Sequence, residues 1–167
     1  MFKRFLPHLF VDSVLELTPK RLLDSGIQSL LLDVDCTLKS YKEQEVGAEI
    51  RCWLENLKEQ GIGLCIISNG LERRISPFAR NLGIPFIACA CKPSPKGCLR
   101  AIRENHFEPQ KTAMVGDQLF SDIWAGRRAG IFTIRVEPIR PREEPWFARI
   151  KRPLEKLVLW LNPRENT

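Results

Sequence analysis

The chain has 167 residues, 44% of them hydrophobic, enough to bury one sizeable core but hardly two, so a single domain over residues 1–167 is expected. No apolar run approaches the roughly 20 residues of a membrane-crossing helix, and six cysteines without paired CxxC spacing exclude a zinc site or a secreted disulfide scaffold and fit a reducing cytoplasm. A formal charge of +6 and a pI near 9.2 favour a polyanionic partner.

The start, Met1 to Leu6, is basic then apolar like a signal peptide. Pro7, His8 and Asp12 interrupt it, however, and no small-residue cleavage site follows, so export is rejected and residues 1–24 are read as an N-terminal extension. Five apolar runs of strand length come next: Ile27 to Leu32, Ile62 to Ile67, Ile84 to Ala90, Thr112 to Val115 and Ile131 to Val136. Segments of helical period separate them. Ile50, Trp53, Leu54 and Leu57 share one face closed by Gly61; Leu71 to Leu82 ends at Gly83, with Pro77 predicting an early start or a kink; Ser94 and Pro95 open the next helix as cap and first residue; and His106 closes it. Alternation of this kind gives an α/β fold, a central parallel sheet flanked by helices. Cys52 and Cys65 fall on apolar faces and Cys89 and Cys91 alternate along a strand, where packing is their expected role. Cys36 lies among acids, where its oxidation could block the site.

In an open parallel sheet, ligands bind beyond the carboxyl ends of the strands. The residues there are Asp33, Asp35 and Thr37 after the first run, Ser68 and Asn69 after the second, Lys92 after the third, and Asp117 and Asp122 after the fourth. Asp33 and Asp35 stand one residue apart, so both can face one pocket while Val34 faces the core. Clustered acids call for a hard divalent cation, which neutralises them and a bound phosphate together. A nucleophile, a proton donor, donors for a phosphate and a cation site are thus all present, the parts of a magnesium-assisted phosphoryl-transfer site.

The ordered set Asp33-Val-Asp35-Cys-Thr37, Ser68-Asn69, Lys92-Pro93 and Gly116-Asp117 with Asp122 resembles the motifs of the haloacid dehalogenase superfamily of phosphatases. Phe5-Leu6-Pro7, Leu82 to Ile87, Gly116 to Leu119 and Ala129-Gly130 are similar to a narrower branch, the YqeG-like subclass IIIA phosphatases, itself similar to phosphatases that convert phosphatidylglycerophosphate to phosphatidylglycerol. The resemblance implies a Rossmann-like domain in which Asp33 becomes an aspartyl phosphate and Asp35 is the general acid and base. It implies that Ser68 and Lys92 hold the phosphoryl group, with Thr37 and Asn69 beside them, and that Mg²⁺ sits on the Asp33 carboxylate, the Asp35 carbonyl and Asp117 with Asp122 in or near that shell. Two residues depart from the family pattern: Cys36 and Gly70 stand where asparagines are expected. The intervals Thr37 to Ser68 and Ser68 to Lys92 leave no room for the family's cap domains, so the site is expected to be open to large substrates.

Basic residues gather at the two ends: Lys3, Arg4, Lys20 and Arg21, then Arg140, Arg142, Arg149, Lys151, Arg152 and Lys156. Residues 144–162 read as an amphipathic helix with Phe147, Ile150, Leu154, Leu157, Val158 and Leu161 on one face and Arg149, Arg152 and Lys156 off it, suited either to an anionic membrane surface or to packing on the sheet. The reading that joins these features is a cytoplasmic, peripheral phosphatase of phosphatidylglycerophosphate or a similar anionic phospholipid. A phosphatase of small molecules, nucleotides or phosphoproteins is the first alternative. A non-catalytic basic module that binds nucleic acid is the second, for which no zinc finger or recognition helix speaks. A signalling receiver domain would carry its phosphoacceptor acid after a middle strand, where this chain has Ser68.

Overall fold

The computed structural model describes residues 5–162, except the side chains of Phe147 and Ala148; Lys3 and Arg4 therefore lie outside the described residues. Six strands form one sheet: β1 (Leu9–Val11), β2 (Ser29–Leu32), β3 (Gly63–Ile67), β4 (Phe86–Ile87), β5 (Thr112–Gly116) and β6 (Phe132–Val136). All pairs are parallel, in the order β1-β6-β5-β2-β3-β4. From β2 the chain winds outward through β3 and β4, then returns to the other side of β2 with β5. The strand order therefore switches direction between β2 and β5, and a crevice opens at their carboxyl ends.

Alternation along the strands divides the core into two layers. Leu30, Leu32, Leu64, Ile66, Ala113 and Val115 face the helices α2 (Ala48–Glu59) and α3 (Glu72–Leu82) through Trp53, Leu54, Leu57, Ile75 and Phe78. Leu31, Cys65, Ile67 and Met114 face α4 (Lys96–Glu104) and α5 (Trp124–Arg128) through Cys98, Ala101, Ile102 and Ala125. Covered on both sides, β2 is apolar at every position after Ser29 and wholly buried, as a central parallel strand must be. Val34 is buried in the first layer, as its place between the two acids requires.

The structure departs from the sequence reading in several places. Residues 1–24 are no mere extension: within them β1 pairs with β6, and Val11, Val14, Leu17 and Leu22, the last on α1 (Pro19–Asp24), enter the main core. The run Ile84 to Ala90 pairs only at Phe86 and Ile87. Beyond it the backbone loops back on β3, with Cys89 N–H donating to Gly70 O and Ala90 N–H to Ser68 O. Cys89 and Cys91 are consequently exposed at positive φ rather than alternating along a strand. Cys52 is exposed on the outer side of α2, opposite Trp53 and Leu54. Pro77 sits inside α3, which begins at Glu72 and closes at Gly83 with φ +60°. Helix α4 starts at Lys96, one residue later than expected. Of the basic residues near the N-terminus, Lys20 pairs with Asp24 and Arg21 with Glu16, so they present no free patch.

The C-terminal segment forms two helices, α6 (Trp146–Arg149) and α7 (Arg152–Leu161), because Pro153 cannot continue a helix across Lys151. Of the two placements expected for its apolar face, packing on the sheet is not what is seen. Of the described side chains of the expected apolar face, Val158 is buried, against Leu119 and Ile123, whereas Ile150, Leu154, Leu157 and Leu161 are exposed; the Phe147 side chain lies outside the described residues. Arg152 and Glu155 turn inward instead. Among the described residues no helix is long and apolar enough to cross a membrane.

Trp53 Nε1 donates to Leu17 O at 2.9 Å and fastens α2 to the N-terminal segment. Trp53→Phe leaves that buried carbonyl unpaired, with an expected loss of about 1–3 kcal/mol in urea unfolding; an unchanged urea midpoint would show that the bond contributes nothing to holding the segment.

Candidate active site

The parallel ladder delivers the acids to one place. Asp33 N–H donates to Val115 O at 3.0 Å, so the pairing of β2 with β5 runs one residue beyond the strand and sets Asp33 beside the end of β5, where Asp117 follows Gly116. Thr37 spans the two, its hydroxyl 3.1 Å from Asp33 Oδ2 and 3.3 Å from Asp117 Oδ1. Asp122 arrives on a π-type turn, Leu119–Ile123, a geometry frequent at functional sites. It packs directly on Gly116: a methyl group there would come within 2.4 Å of the Asp122 side chain, so only glycine admits the acid.

Lys92 lies between the acids. Its Nζ donates to Asp33 Oδ1 at 2.6 Å, Asp122 Oδ1 at 2.7 Å and Ile67 O at 3.0 Å, which engages all three of its hydrogens. Asn69 locks the loop that carries it, donating to Lys92 O at 3.0 Å and accepting from Lys92 N–H at 2.7 Å. Ser68 Oγ accepts from Gly70 N–H and keeps its own hydroxyl proton for a ligand. The cleft above these groups has a volume of about 620 Å³ and is lined by Asp33, Asp35, Ser68, Asn69, Lys92 and Asp122.

Crowding sets the electrostatics. Burial pushes the Asp33 carboxyl up to about 7, with Asp122 adding to the rise and Lys92 opposing it. Asp117 is likewise pushed up to about 7 by burial, against the pull of Arg152. Burial raises Asp122 as well, again opposed by Lys92. For Lys92 the penalty of burial is outweighed by Asp122 and Asp33, and the ammonium is held firmly protonated. Burial also raises the Cys36 thiol, withholding the thiolate that oxidation requires. Cys36 has φ 63°, a left-handed position that asparagine tolerates better than most side chains.

Asp35 differs from its neighbours. Burial would raise its carboxyl, but a two-pronged Arg74 contact, Nη1 to Oδ1 at 3.0 Å and Nη2 to Oδ2 at 2.5 Å, together with Lys39 at 3.3 Å, holds it below its ordinary value and ionised. Gly70 makes room for that fork, since a Cβ there would lie 2.7 Å from Arg74 Nη2.

From the other side, Arg152 of α7 reaches Asp117 Oδ2 at 2.5 Å and Glu144 Oε2 at 2.8 Å. The contact to Asp117 is an ion pair without hydrogen-bond geometry, so Asp117 Oδ2 is a buried oxygen with no hydrogen-bond partner. Oxygens of Asp33, Asp117 and Asp122 lie within 4.8 Å of one another, an all-oxygen donor set that fits a hard cation such as Mg²⁺.

The fold therefore gathers Asp33, Asp35, Ser68, Asn69, Lys92 and Asp122 around the cleft, with Asp117 and Thr37 buried behind. Asn69 and Thr37 spend their donors on the protein: they position Lys92 and the acids. The Asp35 carboxylate points to Arg74 and Lys39, away from the three-acid cluster. Arg74, Lys39, Glu144 and Arg152 were not singled out from sequence as parts of the site. Gly70 beside an arginine-bearing helix start was the one available signal, because the contacts of Arg152 and Glu144 join segments remote in sequence.

A family model described as haloacid dehalogenase-like hydrolase matches residues 9–130. The chain is 35% identical over 157 residues to the probable phosphatase YqeG of Bacillus subtilis (strain 168), covering 94% of this chain and 91% of that one. It is 30% identical over 163 residues to phosphatidylglycerophosphate phosphatase 1, chloroplastic, of Chlamydomonas reinhardtii, covering 90% of this chain and 60% of that longer protein. In fold it is similar to NagD from E. coli K-12, with a TM-score of 0.56 at 14% identity over 74% of this chain and 91% of that one.

Two outcomes are expected from the crowding. Asp33 and Asp117 bind protons more tightly folded than unfolded, where 3.8 is ordinary, so the stability of metal-free protein should fall as pH rises from about 4 to 7 and level off above; Asp122 and Glu155 act in the same direction and His8 against it. Excess Mg²⁺, which binds the ionised acids, should remove that fall; a flat metal-free profile would contradict the shifts. Arg152→Met leaves Asp117 and Glu144 facing each other unneutralised and should cost metal-free protein about 3–5 kcal/mol, partly restored by Mg²⁺. Thermal unfolding in chelator and in Mg²⁺ reads both, and equal melting of variant and parent in chelator would count against the ion pair.

Proposed function

Because the chain belongs to the haloacid dehalogenase-like hydrolases and is a phosphatase, we propose that it hydrolyses a phosphomonoester through a phosphoryl group carried on Asp33, with phosphatidylglycerophosphate or a similar anionic phospholipid as substrate and Mg²⁺ as cofactor. The observation that carries this reading is Lys92 bridging Asp33 and Asp122 at 2.6 and 2.7 Å beside the free hydroxyl of Ser68, at the floor of an open cleft. An Asp33 oxygen attacks phosphorus in line with the leaving oxygen, whose bond breaks as Asp35 gives it a proton. Asp35 then takes a proton from water as that water attacks phosphorus, which releases orthophosphate and regenerates Asp33. Ser68, and Lys92 by exchanging one of its carboxylate acceptors for the phosphoryl group, hold the phosphoryl oxygens as charge builds on them.

Arg74 gates the first step. With its fork closed Asp35 is a carboxylate, fit to be the base of the second half; when a substrate anion draws the guanidinium away, Asp35 takes a proton from solvent and becomes the acid of the first half. Bound Mg²⁺, held by Asp33, Asp117 and the Asp35 carbonyl with Asp122 alongside, supplies the positive charge that neutralises acids and phosphate together. The identity to phosphatidylglycerophosphate phosphatase 1 supports the lipid substrate. So does the spacing of the site: only a loop and α2 intervene between Thr37 and β3, and only α3 and β4 between Ser68 and Lys92, leaving room for a phosphate carried on a large body. The protein then works at the surface of an anionic membrane.

A screen of the protein with Mg²⁺ against phosphatidylglycerophosphate, phosphatidate, nucleotides, sugar phosphates and phosphopeptides tests substrate and chemistry together. The phosphatidylglycerol precursor should be preferred, and Asp33→Asn should lose at least about 10²-fold in rate. Preference for soluble esters would move the substrate to small molecules or phosphoproteins, and equal rates with and without Asp33 would remove it as nucleophile.

A further inference from the structure

Helix α7 is built with its polar side inward. Its inner face is Arg152 on Asp117 and Glu144, Glu155 accepting from Phe120 N–H at 3.0 Å, and Val158 against Leu119 and Ile123. Its outer face is Leu154, Leu157, Trp160 and Leu161, joined across the break by Ile150 and Trp146, with the two tryptophans 76% and 73% exposed. Burying side chains like these is favourable, and the fold leaves all of them at least half exposed or nearly so. A contiguous apolar face of this size marks an interaction surface.

Charge selects the occupant. Arg142, Arg149, Lys151 and Lys156 are exposed around this face and none is in an ion pair among the described residues. The acids of the same segment are spent elsewhere: Glu144 and Glu155 are buried, and Glu143 lies near Arg140. A second copy packed on this face would set like charges against each other along the seam. An anionic lipid surface would meet the cations with phosphates and the leucines with acyl chains, and tryptophan suits the boundary between those zones. Ion pairs fix the helix from behind, so its apolar side stays available. Pro145 and Lys151, which flank α6 and α7, also line the cleft above Asp33.

We propose that the outer face of α6 and α7 is a docking site for an anionic lipid bilayer, with α7 lying in the headgroup layer and the mouth of the cleft held beside it. Only the use of that placement, presenting a phosphorylated headgroup to Asp33, rests on the reading of the cleft as a lipid phosphatase.

The full chain is tested by flotation with phosphatidylcholine vesicles, with and without phosphatidylglycerol, beside the double variant Leu157→Glu, Trp160→Glu and a control, Leu23→Glu, at an exposed leucine elsewhere. The parent and the control should float with anionic vesicles, less so at high salt, and the double variant should partition at least about tenfold more weakly. Thermal unfolding and hydrolysis of p-nitrophenyl phosphate should be unchanged in the double variant, which separates docking from folding and from chemistry. Equal flotation of parent and double variant, no flotation of either, or a parent dimer that the double variant dissolves into monomers would each overturn the proposal, the last by assigning the face to a second copy. Partition is read without turnover: flotation without phosphate release from any lipid would defeat the substrate reading alone, and release from soluble esters without flotation would defeat the docking proposal alone.

Discussion

Four buried acids, Asp33, Asp117, Asp122 and Glu144, meet at the carboxyl end of β2 and β5, and two cations, Lys92 and Arg152, are threaded between them. Removing several carboxylates from water into one small volume is among the most costly arrangements a fold can hold, and it persists only where cations and hydrogen bonds offset it. Much of the local structure serves that balance. Asn69 fixes the loop that brings Lys92, Gly116 lets Asp122 approach, and Thr37 ties Asp33 to Asp117. Burial, with neighbouring negative charge adding to it, raises Asp33, Asp117 and Asp122, and these three form an all-oxygen set suited to a divalent cation.

The two cations enter from opposite sides of the site. Lys92 belongs to the sheet edge and its three hydrogens are fully engaged, so its place is set by the strands. Arg152 comes from a short helix anchored by ion pairs, and it reaches Asp117, one of the three acids that would hold a metal. The C-terminal helix is thus bonded to the acid cluster on its inner side while presenting leucines and a tryptophan on its outer side. Its orientation is a consequence of the acids: Arg152 and Glu155 are drawn inward by charge and a free backbone N–H, and the apolar residues are left outside.

The gathering of the candidate site residues was legible because a parallel sheet brings the carboxyl ends of its strands to one edge, and the positions of Asp33, Ser68, Lys92 and Asp117 just beyond four apolar runs encode that geometry locally. Features that depend on distant partners were not legible. Strand β1 has three residues and no turn signal, and it exists because β6, over 120 residues later, offers it a ladder, with Leu9 opposite Ile134. The run at Ile84 to Ala90 reads as a full strand, yet its second half is pulled away to bring Lys92 to the acids. The helical period of residues 146–161 is apparent in the sequence, but period cannot say which face turns inward when ion pairs outweigh apolar packing. Arg74 was hidden for the same reason, its role set by contact with Asp35, 39 residues before it.

The account depends on phosphorus meeting Asp33 and no other acid. A crystal structure of the protein with Mg²⁺ and beryllium fluoride, which mimics an acyl phosphate, reads this directly. The fluoride group should be bonded to an Asp33 oxygen with Lys92 and Ser68 in hydrogen-bond contact and the metal on Asp33 and Asp117. Density on Asp35, or on any group outside the cleft, would contradict it.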